Sequence, residues 1–393
     1  MLNSLVKKHP ILVAGGGIGG FAAALCLARQ GYPIQLFEQA QEIKEIGAGI
    51  QIGPNAFRVF ERLGLVEKVT AKASMPESLV MMDGITAEEV VSIPLQGQFR
   101  ERFQYPYALI HRADLHQIFV DACAAELNIE VVTGTRVENF TQEGALVTLH
   151  TERGDYTGAA LIGADGLWST IRAQIANDGP PRVSGHIAYR AVLPTSDVPE
   201  ELRSNTMTLW AGAKTHLVQY HLRGGDLFNL VAVFHSDKYV EGWDSKGDKE
   251  ELHKRFCDAA PPVKALLDKI DSWRMWVLCD REPIKQWTSG NVVLLGDAAH
   301  PMLQYMAQGA CMAMEDAVVL AEEVGRDATD FASAFVRYQN RRYLRTGKVQ
   351  MSARLYGEFY HAAGVNRELR NQFLRARSLE QTLDGMAWLY KGI

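Results

Sequence analysis

Short unbroken apolar runs ending in glycine turns recur along the chain, and the first such unit stands near its start. Residues 10–38 read PILVAGGGIGGFAAALCLARQGYPIQLFE. The run Ile11–Ala14 enters a turn carrying Gly15, Gly17 and Gly20. Residues 21–29 have the composition of a helix, and a second run, Ile34–Phe37, ends at Glu38. The predicted order is strand, turn, helix, strand, acid. Residues 161–172 (LIGADGLWSTIR) and 292–302 (VVLLGDAAHPM) repeat the theme, each an apolar run closing in a Gly/Asp turn. Such runs suit strands covered on both faces, as in a parallel sheet.

The pattern changes between these units. HRADLHQIFVDACAAEL reads as a helix, and NIEVVTGTRVENF and GALVTLHTERG read as strands leading to the middle Asp–Gly turn. Residues 76–105 look like strands of another sheet. From 184 to 276 a period-two alternation dominates (HIAYRAVLP, TMTLWAG, THLVQYHLRGG, FNLVAVF), which predicts a mixed or antiparallel sheet acting as a lid over a substrate. The last part is helical: GACMAMEDAVVLAEEVG, then DFASAFVRYQNRRYLRTGKVQMSARLYGEFY. Its basic stretch 337–354 reads as a solvated helix face rather than a membrane or nucleic-acid site. No repeat or low-complexity linker interrupts the chain.

The first unit has the dinucleotide-binding arrangement in its proper context. Gly15 permits the tight turn, Gly17 lets backbone approach a pyrophosphate, and Gly20 lets the helix pack close to the sheet. The helix N-terminus turns free N–H groups and a positive dipole end toward phosphate. Glu38 can accept hydrogen bonds from an adenosine ribose. Asp297, just past an apolar run, is placed to bind a sugar-like hydroxyl such as a ribityl chain.

Composition narrows the class. The chain has 393 residues, is 47% hydrophobic and carries a net charge of −5, so it holds a sizeable core and lacks a basic footprint for nucleic acid. The early apolar run is too short for a signal segment or a membrane span. The five cysteines include no CxxC pair and read as reduced, packed thiols in a cytoplasmic protein. No HExxH and no clustered His/Asp ligand set points to a metal.

Together the three turns resemble the class A flavoprotein aromatic hydroxylases, over essentially the whole chain. That resemblance implies an α/β fold in which a Rossmann-like FAD-binding domain (1–75, 106–183 and 277–330) is interleaved with a mixed β-sheet substrate domain (76–105 and 184–276). A C-terminal helical region follows (331–393). It implies FAD held non-covalently by Gly15, Gly17, Ile18, Gly20 and Glu38, and by Ala48 and Ile50 of an arm at 47–65. Arg112 near the flavin chain, Asp165 near the pyrophosphate, Asp297, and the Gln308–Gly309–Ala310 turn complete that set. It further implies NADH as reductant, O2 as cosubstrate through a flavin C4a-hydroperoxide, and a small aromatic substrate. The chain is expected to have no integral membrane segment and to form a homodimer.

The reacting groups are expected where the lid meets the flavin. Strand alternation puts His216, Val218 and Tyr220 on one face. His216 is the candidate base for a phenol, because an ordinary histidine titrates near working pH. Gln304, after the last Gly/Asp turn, would orient the phenol oxygen, and Tyr220 would line the site. His221, on the opposite face, and His300, beside the cofactor by resemblance, rank lower. His216, Tyr220 and the GDAAHPMLQYMAQGA segment resemble the branch of the family that hydroxylates 3-hydroxybenzoate para to its hydroxyl, giving gentisate. Decarboxylating hydroxylation of salicylate to catechol, oxidation of another hydroxybenzoate or hydroxynicotinate, and flavin reduction without oxygen insertion are the alternatives.

Overall fold

A computed structural model describes residues 8–43, 48–236, 245–327 and 330–393. The expected α/β architecture is present. Five strands form a parallel sheet in the order Val292–Leu294, Ala160–Gly163, Ile11–Ala14, Ile34–Phe37 and Ile129–Val132, with Thr288–Ser289 as an antiparallel edge. Its central strands are apolar at every position because both faces are covered; Leu12, Val13 and Ala14 have no exposed surface. The helices Ile18–Ala28 and Gly309–Arg326 pack together over this sheet, and Arg112–Ala124 packs beside the first of them. Strands Val137–Glu143, Leu146–Thr151 and Gly154–Gly158 make a small antiparallel sheet leading into Ala160–Gly163.

The second large sheet has eight strands. Their order is Ser245–Lys246, Arg274–Asp280, Arg182–Pro194, Leu227–His235, Thr215–Leu222, Thr206–Gly212, Ser78–Asp83 and Glu89–Pro94. Its pairings are antiparallel except for Thr206–Gly212 with Ser78–Asp83, which makes the sheet mixed. The first strand pair from 76–105 therefore sits at the edge of the sheet built from 184–276. The boundary expected at 276 falls inside Arg274–Asp280, so the chain leaves this sheet only after Asp280. One face carries Leu252, Val263, Leu266 and Trp273. The other carries Val218 and Tyr220 and meets Leu303, Tyr305 and the C-terminal helices. With both faces covered, Thr215–Leu222 is buried throughout despite its alternating sequence.

The basic stretch 337–354 is only in part a solvated face: Arg341 and Lys348 are exposed, whereas Arg342 is buried and Arg345 and Arg354 are half-buried. It lies on the helix Phe331–Tyr360, which packs along Gly309–Arg326. Arg342 is buried and reaches Asp316 through Nε (2.6 Å) and Glu315 through Nη1 (2.7 Å). Arg345 bonds both oxygens of Glu315 at 2.7 Å, and Arg354 bonds Asp280 at 2.6 Å. Burial alone would raise the carboxyl groups of Glu315 and Asp316. Arg342, with Arg345 on Glu315 and His300 on Asp316, holds both below their ordinary values. Counting charges along one helix could not show this, because the acids that match them lie on another helix. The remaining helices, Gly364–Arg375 and Leu379–Tyr390, close the end of the molecule, where Tyr390 packs edge-on against Phe103 at 5.4 Å. Among the described residues no helix is long and apolar enough to cross a membrane.

Candidate active site

Three strands that are far apart in sequence lie side by side and parallel: Val292–Leu294, Ala160–Gly163 and Ile11–Ala14. Their glycine-bearing turns therefore gather at one end of the sheet, where doubly wound folds bind ligands. Gly15 has φ +108°, and a Cβ there would lie 2.3 Å from the Ala164 carbonyl oxygen. At Gly20 it would lie 1.9 Å from the Gly15 oxygen. A side chain at either glycine would push the turn off the sheet. Gly17 meets nothing within 4 Å, so its backbone is open to an approaching group. Glu38 accepts the Gly16 N–H (2.8 Å) through Oε2 and the Ala40 N–H (2.8 Å) through Oε1, which aims its carboxylate beside the turn.

One cavity of about 1000 Å³ runs from this turn to the eight-stranded sheet and is lined by Gly17, Ile18 and Glu38 at one end and His216, Tyr220 and Gln304 at the other. Ala48, Ile50, Arg112, Gln308, Gly309 and Ala310 border it between these ends. Gly47, the first residue of the arm, lies outside the described residues. The strand Gly49–Ile52 pairs with Ala108–His111, and Arg112 donates its backbone N–H to Ala48 (3.1 Å), so arm and arginine share one scaffold. Gln308 precedes the Gly309–Arg326 helix and accepts from Asn55 Nδ2 at 3.0 Å.

Asp297 opens onto the cavity but is otherwise enclosed by protein. Burial raises its carboxyl, tempered by His300 and Arg112. No described residue donates a hydrogen bond to it, which leaves both oxygens for a hydroxylated ligand. Asp165 differs from expectation. Its carboxylate accepts from Ser169 Oγ (2.5 Å) and Thr170 N–H (2.9 Å) and so stabilises the start of the helix Thr170–Ala176. It is Ala164, Gly166 and Leu167 that border the cavity. His300 also turns away, bonded to buried Asp316. Arg172, unremarked in the sequence, is fully buried and donates to the Ala298 (3.1 Å) and Ala299 (2.7 Å) carbonyls, fixing the last turn against the middle one. With two unsubstituted glycine approaches, an acid on either side and a helix N-terminus, the residues fit a flavin dinucleotide.

At the other end, His216, Val218 and Tyr220 share a face as strand alternation requires, and all three line the cavity. His221 points elsewhere and bonds the Arg203 carbonyl at 2.8 Å. Burial raises the Tyr220 hydroxyl's pKa, so it stays protonated. His216 departs from the sequence expectation: burial pushes it down to about 3, far from working pH. Its Nδ1 is engaged by His361 Nε2 at 2.7 Å, which leaves Nε2 for the cavity. Gln304 borders the cavity, and its carbonyl oxygen is taken by Arg190, leaving the amide N–H groups available. Arg190 is a residue the sequence reading missed. It lines the cavity, and its guanidinium sits 5.4 Å from the Trp276 ring centroid. A single charge inside the apolar alternation HIAYRAVLP was the available signal. Nor are the histidines dispersed: His186, His235 and His361 bring ring nitrogens within 4.8 Å of one another.

Comparison with known proteins agrees with this geometry. The FAD binding domain family matches residues 8–342. A 3-hydroxybenzoate 6-hydroxylase of Polaromonas naphthalenivorans (strain CJ2) is 46% identical over 382 residues, covering 97% of this chain and 95% of that protein. One from Klebsiella oxytoca is 44% identical, covering 98% and 97%. Among solved structures, Klebsiella pneumoniae HpxO complexed with FAD and uric acid superposes with a TM-score of 0.87 at 25% identity, covering 99% of this chain and 98% of that one.

Proposed function

As the chain belongs to the family of flavoprotein aromatic hydroxylases built on the FAD binding domain, we propose that it hydroxylates 3-hydroxybenzoate para to its hydroxyl, giving gentisate at the expense of NADH and O2. The observation that carries the reading is the single cavity joining the dinucleotide turn to His216, Tyr220 and Gln304. Bound FAD supplies the redox chemistry and the activation of oxygen.

The chain's own residues do the rest. Gly15, Gly17 and Gly20 let backbone N–H groups reach a pyrophosphate, Glu38 takes the ribose, and Asp297 takes a hydroxyl of the cofactor chain. At the substrate end, His216 Nε2 accepts the phenolic proton, because a phenolate ring is a far better nucleophile toward electrophilic oxygen than a phenol. The Gln304 amide donates to the same oxygen and holds it in place. Tyr220, kept protonated by burial, is a hydrogen-bond donor on the same face. Apolar Val218, Leu209 and Met207 exclude water from the reacting end. A cytoplasmic location and a homodimeric state complete the reading; the cysteines, all free among the described residues, accord with the first.

The deciding experiment measures NADH oxidation with a panel of hydroxybenzoates and identifies the products. Gentisate from 3-hydroxybenzoate is expected. Catechol and CO2 from salicylate would replace the reading with decarboxylating hydroxylation, and NADH oxidation with no oxygenated product would replace it with a reductase.

A further inference from the structure

Two histidines that no local motif singles out extend His216 into a row. His216 Nδ1 lies 2.7 Å from His361 Nε2, and His361 Nδ1 lies 2.9 Å from His235 Nε2. Each contact joins two ring nitrogens, so one donates and the other accepts. His216 and His361 are buried at 3% and 4% exposure, while His235 is half-buried, beside Glu358. The row thus leads from the cavity toward the surface. His186 stacks on His235 with ring centroids 4.2 Å apart, but its Nδ1 is taken by the Tyr305 hydroxyl. It braces the row without belonging to it.

We propose that His216, His361 and His235 form a proton wire that carries the substrate's phenolic proton from the cavity to solvent. The proposal rests on the hydroxybenzoate reading above. At the start, each imidazole is neutral with its proton on Nδ1. The phenol O–H breaks and its proton bonds to His216 Nε2. The His216 Nδ1 proton passes to His361 Nε2, the His361 Nδ1 proton to His235 Nε2, and the His235 Nδ1 proton to water. One proton leaves, the phenolate keeps the electron pair, and every imidazole stays neutral in its other tautomer. When the dienone formed by hydroxylation rearomatises, its sp3 ring carbon loses a proton to water and its oxygen gains one through the same transfers run backward, which restores the row.

The electrostatics support this route. A histidine held down at about 3 cannot store a proton from a phenol, whose ordinary pKa is about 10. Burial also holds His361 and His235 below their ordinary values. Neutral rings that accept on one nitrogen as they release from the other need not store charge at all. A metal on His186, His235 and His361 is the competing use of these groups. Both ring nitrogens of His361 are already engaged, Nε2 by His216 and Nδ1 by His235, so a metal on His361 would have to displace one of these contacts, whereas the hydrogen-bonded row needs no movement.

The test mixes oxidised FAD holoenzyme with 3-hydroxybenzoate without oxygen. It follows the phenol-to-phenolate absorbance change together with proton release to an indicator dye. Wild type should ionise the phenol rapidly. His361→Gln and His235→Ala should slow both signals by roughly tenfold or more, with FAD content and substrate Kd unchanged. Added imidazole should restore the rate in His235→Ala, where the missing ring opens to solvent, and not in His361→Gln. Wild-type rates in His361→Gln, from an enzyme that does produce gentisate, would overturn the wire and leave the function standing. Failure of wild type to make gentisate would overturn both. A stoichiometric metal in the purified protein that is lost in both variants would replace the wire with a metal site.

Discussion

A Cβ at Gly49 would stand 2.4 Å from Cε2 of Tyr220. The arm along the cavity therefore leans directly on the ring of a substrate-strand residue. The Gly49 N–H also donates to Asn229 Oδ1 of the neighbouring strand at 2.8 Å. Cofactor arm and substrate sheet are thus registered by a glycine, not merely close. Gly49→Ala should cost about 1–3 kcal/mol of stability by overpacking. It should also lower the fraction of NADH oxidation that yields product. Adding Tyr220→Ala should recover stability relative to the sum of the single changes, as a double-mutant cycle in urea would record.

Removing the His216 imidazole should separate flavin reduction from oxygen transfer. In His216→Ala, FAD binding and substrate-stimulated reduction should persist, while hydroxylation slows by about 10²–10⁴-fold and H2O2 replaces product. Gln304→Ala should show the same split more mildly, because it orients the oxygen rather than accepting its proton. Stopped-flow spectra with peroxide assay report both; normal coupling in His216→Ala would falsify the base assignment.

Glu38 organises the glycine turn as well as offering an acceptor to ribose. Glu38→Ala should weaken FAD binding by about 1.5–3 kcal/mol for each charge-assisted hydrogen bond lost. Titration of apoprotein with FAD, followed by flavin fluorescence, measures this. An unchanged Kd would remove Glu38 from the cofactor site.

Arg342 is the buried partner of Glu315 and Asp316. Arg342→Met should destabilise by about 3–5 kcal/mol, since it strands buried carboxylates. Arg375→Ala breaks an exposed pair with Glu88 and should cost less than about 1 kcal/mol. Urea midpoints of the two variants should differ accordingly.

The histidine cluster should make the fold acid-sensitive. Burial lowers His216 to about 3 and His186 to about 4, against 6.5 for the unfolded chain. Below pH 6.5 the unfolded chain binds protons that the folded one refuses. The stability these histidines contribute is complete above 6.5 and drains away as pH falls toward 4 and then 3. At pH 5 the loss should be about 2 kcal/mol for each of the two. Thermal unfolding from pH 7.5 to 5 should show it, with a shallower slope in His186→Phe.

What the sequence determined by itself was local. Gly15, Gly17 and Gly20 announce their site because a turn that tight, that close to sheet and phosphate, has one cheap solution within a few residues. The shared face of His216 and Tyr220 follows from the two-residue repeat of a strand. The tertiary structure decided everything that depends on who stands opposite. Parallel register brought three glycine turns to one end, turned Asp165 from ligand to helix cap, and put Arg342 against Glu315 and Asp316 instead of solvent. His361 lies 145 residues beyond His216, so no periodicity could pair them. The pKa of His216 was illegible for the same reason: it is set by the walls around the ring, and those walls come from strands and helices across the whole chain.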